Sequence, residues 1–158
     1  FPTLLTDLAD AVDVLRLNAE ANAHRCLHPP RAAALAWGCD DAALFEALTA
    51  LGQQPIGEAI VLCSDVVYEP TAYAPLLATL RQLARHGIAT RTIMAHRSRH
   101  PDENLFFAAA TEHFTMRQLH GPPFVPLGAP GSEGSGGGTG STVRILEFTA
   151  LATPVSLE

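Results

Sequence analysis

An α/β domain built on a mostly parallel sheet, with an antiparallel edge strand, is the architecture this sequence predicts. Three observations predict it. Short apolar or β-branched runs alternate four times with stretches of helical period, an order that argues for parallel strands joined by helices on both faces. Several of these runs stop at a charged or turn-forming residue, among them Asp7, Gly38 and Asp65. Two closing runs, residues 114–119 and 143–148, alternate apolar and polar side chains and read as an antiparallel pair at the sheet edge.

Each element has its own justification. Residues 3–6 form the first strand candidate, ending at Asp7. Over residues 8–23 the apolar positions Leu8, Ala11, Val12, Leu15 and Ala19 recur at helical spacing. Pro29-Pro30 stops any helix and resets the chain, and residues 32–37 read as the second strand, closed by Gly38. Asp40 and Asp41 supply a cap and a favourable charge for a helix through Leu51, which Gly52 ends.

A turn at Pro55-Ile56-Gly57 leads to a strand expected to be buried, Ile60-Val61-Leu62-Cys63. Residues 71–86 place Leu76, Leu77, Leu80 and Leu83 on one helix side, with Gly87 as the stop. Residues 88–95 make another strand, and Pro101 suits the first turn of a helix running to about His113, whose Leu105, Phe106 and Phe107 are expected in the core. Between the closing strands lies Gly121-Pro122-Pro123 and then a segment rich in Gly, Ser and Thr. A phosphate-binding loop needs a lysine after its glycines and a strand before them. This stretch has neither, so residues 129–141 read as a flexible loop.

Composition narrows the function. With 47% hydrophobic and 16% charged residues, the 158-residue chain is of a globular rather than a disordered kind, and suffices for one domain. A net charge of -6 argues against nucleic acid and anionic membranes as partners. Cys26, Cys39 and Cys63 are odd in number and widely spaced, as expected of reduced thiols in a cytoplasmic protein. His96 and His100 lack a third ligand in sequence, so no metal is expected; the basic cluster His96, Arg97, Arg99 and His100 reads as a solvated turn or, functionally, as an edge of a substrate cleft at the strand's carboxyl end. His24, Cys26 and His28 read as part of a surface loop.

The strand that stops at Ser64-Asp65-Val66-Val67-Tyr68 is the most informative stretch. Asp65 interrupts an apolar run with a charge that is expensive to bury alone. In open α/β sheets ligands bind beyond the carboxyl ends of the strands, which is where this carboxylate and the Tyr68 phenol fall.

Thr6-Asp7, Leu17-Asn18-Ala19-Glu20-Ala21-Asn22, Leu35-Ala36-Trp37-Gly38 and Ser64-Asp65-Val66-Val67-Tyr68 follow one another in that order. The ordered set resembles the seven-stranded, S-adenosylmethionine-dependent methyltransferases of family 16, largely protein lysine methyltransferases. The resemblance spans essentially the whole chain and implies a Rossmann-like methyltransferase sheet. It implies that Asp7 binds the cofactor ribose, that Trp37 packs near the adenine with Gly38 beside it, and that Ser64 lies next to the cofactor. It further implies that Asp65 and Tyr68, matching a D-x-x-Y motif, line the channel of the acceptor amine as catalytic residues. The implied cofactor is S-adenosylmethionine and the implied partner a protein lysine side chain.

One feature departs from the family. Its first strand and glycine-rich cofactor turn would precede Phe1, so residues 1–158 read as the C-terminal part of one methyltransferase domain, with a gap in the sheet. A homodimer could cover the exposed strand edges. Two other functions stay open on the residues alone: a non-catalytic interaction module on the same scaffold, and another nucleotide-binding α/β domain.

Overall fold

The computed structural model describes residues 1–52, 59–100, 102–121 and 143–151. The chain divides into two compact units, residues 1–57 and 58–158. Pro55-Ile56-Gly57, Pro101 and the Gly/Ser-rich segment 129–141 lie outside the described residues.

In the first unit, β1 (Leu4–Asp7) pairs in parallel with β2 (Arg31–Ala34), Asp7 lying opposite Ala34. α1 (Val12–Asn22) connects them after a short 3-10 turn, and packs on both strands through buried Val12 and Ala19. Ala11 and Leu15 are half-buried beside them, whereas Leu8 at the turn is exposed. α2 (Asp41–Thr49) begins where Asp40 accepts the Ala43 N–H at 2.9 Å, a side-chain cap for an otherwise orphan donor. It buries Leu44, Ala47 and Leu48, one face by the i, i+3, i+4 rule.

β2 is shorter than the sequence suggests. Its last ladder bond runs from Leu35 N to Asp7 O at 2.9 Å, and the backbone then turns through Trp37 and Gly38. Gly38 has φ of 75°, a left-handed conformation that costs glycine nothing. Trp37 therefore sits in the turn after the strand, not at its end.

The second unit carries a four-stranded sheet in the order β3-β4-β6-β5. β3 (Ile60–Ser64) and β4 (Arg91–Arg97) are parallel. β6 (Val143–Ala150) is antiparallel to both β4 and β5 (Phe114–His120), with a register shift between Gln118 and His120. The closing antiparallel pair is thus present, with β6 inside the sheet and β5 at its edge.

α3 (Tyr73–Arg85) joins β3 to β4 and presents Leu76, Leu77, Leu80 and Leu83 to the core. α4 (Glu103–Ala110) joins β4 to β5 and adds Phe106 and Phe107. An aromatic chain holds this core. Tyr73 meets Phe106 at 5.9 Å between ring centroids, Phe106 meets Phe107 at 5.3 Å, and Phe107 stacks on Phe148 at 6.4 Å. Edge-to-face contacts of this kind contribute about 0.5–1.5 kcal/mol each beyond area burial.

Three sequence expectations need correction here. β3 is not a buried strand: among the described residues it has one neighbour, and Ile60 and Leu62 are 52% and 78% exposed. β4 starts at Arg91 rather than Ile88, because the N–H groups of Ile88 and Ala89 are bound to Leu83 O at 2.9 and 3.2 Å. Those bonds finish the end of α3, where Gly87 takes a left-handed φ of 66°. Leu105 is exposed, while its neighbours Phe106 and Phe107 are core residues as expected.

Candidate active site

The six residues singled out in the sequence fall in both units. Asp7, Trp37 and Gly38 belong to the first, and Ser64, Asp65 and Tyr68 to the second. Asp7 is the last residue of β1 and is exposed; its Oδ1 accepts the Leu8 N–H at 2.7 Å. A carboxylate has about four acceptor sites, so this bond leaves room for a pair of vicinal hydroxyls. Trp37 is half-buried. A carboxylate at a parallel strand's carboxyl end, followed 30 residues on by a half-buried tryptophan, is chemistry that suits a ribose and a purine. Both groups fit an adenosine-containing cofactor.

In the second unit Ser64 is the final residue of β3, opposite Ala95, and is exposed. Asp65 follows with its N–H donating to Ala95 O at 2.9 Å, so its backbone is fixed by the ladder. Its φ is 57°, the only positive value at a non-glycine position among the described residues. Aspartate tolerates the left-handed region better than most residues, yet such outliers persist only where surrounding structure over-determines them, often at functional sites.

Val67, 1% exposed, anchors the following loop in the core. Tyr68 is 58% exposed beside that anchor. The D-x-x-Y spacing thus brackets a buried pin and leaves the acid and the phenol at the strand end.

Asp65 does not stand alone. Its Oδ2 forms an ion pair with Arg99 Nη2, both side chains part-exposed, while its Oδ1 is enclosed without a hydrogen-bond partner among the described residues. Arg99 is itself held at its backbone: its N–H donates to both oxygens of Glu103, at 2.9 and 3.1 Å. The His100 N–H donates to the same carboxylate at 3.1 Å. Glu103, 2% exposed, also meets His96 Nε2 at 3.2 Å, and His96 is 1% exposed. His96 packs edge-on against Phe107, with ring centroids 4.9 Å apart.

His96 is therefore no part of a solvated turn. It lies within β4, where strand alternation puts Thr92, Met94 and His96 on the same buried face. Burial pushes its pKa below the usual histidine value, against the opposing pull of Glu103, while the Arg144 charge adds to the lowering.

Tyr73 lies in the same unit with its hydroxyl buried and without a hydrogen-bond partner among the described residues, and burial together with the Glu103, Asp102 and Glu69 charges raises its pKa. Elsewhere in the sheet Arg91 and Arg117 clasp the Glu147 carboxylate, and their hydrogen bonds lower its pKa. Burial pushes the Cys63 thiol up to about 11, which leaves it protonated and unreactive at neutral pH. His24, Cys26 and His28 are exposed, as a surface loop requires.

The family model described as lysine methyltransferase matches residues 2–113, which include all six of these positions together with Arg99 and Glu103. The chain belongs to the lysine methyltransferase family. Among curated proteins nothing matches it. For a lysine methyltransferase the mixed sheet, with parallel strands followed by an antiparallel pair, is a Rossmann-like arrangement of the expected kind. The family implies a protein substrate, and methyltransferases generally draw their methyl group from S-adenosylmethionine.

Proposed function

We propose that this chain contributes to an S-adenosylmethionine-dependent methyltransferase acting on the side-chain amine of a protein lysine. The observation that carries this reading is Asp65: a carboxylate fixed in a left-handed conformation at the end of a parallel strand, four residues before Glu69-Pro70 and three before Tyr68, in a chain of this family.

The bound cofactor supplies an electrophilic methyl group on a sulfonium, so the protein's task is positioning rather than covalent catalysis. Asp7 accepts the ribose hydroxyls, Trp37 and Gly38 border the adenine, and Ser64 borders the reacting end. Asp65 accepts a charge-assisted hydrogen bond from the lysine nitrogen and orients it. Tyr68 narrows the approach and offers its ring face to the arriving cation.

The test is labelled-methyl incorporation by the full-length protein into total cell protein, followed by hydrolysis and separation of methylated amino acids. Methyllysine is expected with the wild type and is expected to vanish with Asp65→Ala. Methylation confined to histidine, or undiminished in that variant, would overturn the assignment.

A further inference from the structure

Asp65 is joined, through the part-exposed Arg99, to a buried pair, Glu103 and His96, that the resemblance does not account for. Its partner Arg99 is 34 residues away in sequence. The Arg99 backbone is fastened to Glu103, a carboxylate with almost no exposure whose oxygens accept two backbone N–H groups and face His96. The segment after β4 is therefore clamped from inside the core, and the guanidinium reaches the site from a fixed root.

A carboxylate in solvent samples several rotamers, and orienting it when substrate arrives would cost entropy. Here one oxygen of Asp65 is enclosed and the other is held by a planar, permanently charged group. Arg99 fills one of the acceptor sites of that carboxylate and leaves others on the part-exposed side for an ammonium.

We propose that Arg99 is the positioning residue of the methyl-transfer site, holding the Asp65 carboxylate in the orientation that receives the acceptor amine. The proposal rests on the role given to Asp65 above. Arg99 itself touches neither substrate nor cofactor and acts through Asp65.

The experiment compares wild type, Asp65→Asn, Arg99→Ala and Arg99→Lys in the full-length protein. Labelled S-adenosylmethionine is the donor and total cell protein the acceptor, and each variant is assayed with and without added methylguanidine. Cofactor affinity and melting temperature are measured in parallel. Arg99→Ala is expected to lower methyl transfer at least tenfold with cofactor affinity unchanged within about twofold. Methylguanidine is expected to restore a large part of that activity in Arg99→Ala and none in Asp65→Asn, and Arg99→Lys is expected to fall between.

Arg99→Ala within twofold of wild type, with Asp65→Asn inactive, would overturn the role of Arg99 and leave that of Asp65 standing. A loss in Arg99→Ala that neither lysine nor methylguanidine relieves would also overturn it, since Arg99 would then be structural. Full activity in both Asp65→Asn and Arg99→Ala would remove the role of Asp65 and this proposal with it.

Discussion

Two aspartates end two parallel strands in this protein, and they are built differently. Asp7, at the end of β1, is exposed, and the one described hydrogen bond of its carboxylate is to the next backbone N–H. Asp65, after β3, is half-buried, holds a left-handed backbone and is paired with a guanidinium whose own root is tied to the core. The difference matches the two tasks proposed for them. A group that receives neutral hydroxyls can wait in water, because water is a fair substitute for the ligand. A group that must aim a single nitrogen at a single carbon needs its orientation set beforehand. Among the described residues a left-handed backbone and a charged partner belong to the second acid, and the first has only the neighbouring N–H.

The comparison would break most visibly at Asp65 itself. Asp65→Ala should lower methyl transfer by at least about 100-fold while cofactor affinity stays within twofold, measured by labelled-methyl incorporation and by calorimetry. Next in size is the clamp beneath it. Glu103→Ala leaves two backbone N–H groups and His96 without their carboxylate, and should cost about 3–5 kcal/mol of stability in chemical denaturation. A loss below about 1 kcal/mol would mean that the buried pair does not hold the segment after β4.

A pH series sharpens the same point. Because burial lowers the His96 pKa below 6.5, the unfolded chain binds more protons than the folded one as pH falls below that value. The His96 contribution to stability is intact above 6.5 and declines through the interval down to its folded pKa. In a His96→Phe variant the slope of stability against pH in that interval should flatten relative to wild type. The smallest expected effect is at the other acid: Asp7→Ala should change stability by no more than about 0.5 kcal/mol, since it is exposed and outside the core.

Much of this was legible in the sequence, and the limits have physical reasons. The order of strands and helices followed from local periodicity; Asp65 and Tyr68 stood out because they follow a strand, whereas Asp7 and Trp37 were singled out through the family resemblance. The buried look of Ile60-Val61-Leu62-Cys63 misled, because an apolar run reports composition and not how many neighbours the strand has. Arg99 stood out as part of a basic cluster, but its pairing with Asp65 and the role of Glu103 were missed because tertiary packing fixes those partners, across 34 residues for Asp65 and Arg99. One signal was available. Thr92, Met94 and His96 share strand parity, which aims the histidine inward and calls for a buried partner such as Glu103, an acid at the start of the next helix.

Calorimetric titration of S-adenosylhomocysteine into the full-length wild type, Asp7→Ala and Asp65→Ala separates the two acids most directly. Affinity is expected to fall at least tenfold in Asp7→Ala and to stay within twofold of wild type in Asp65→Ala. Equal affinity in Asp7→Ala and wild type, or a comparable loss in both variants, would contradict the division of labour between the two strand ends.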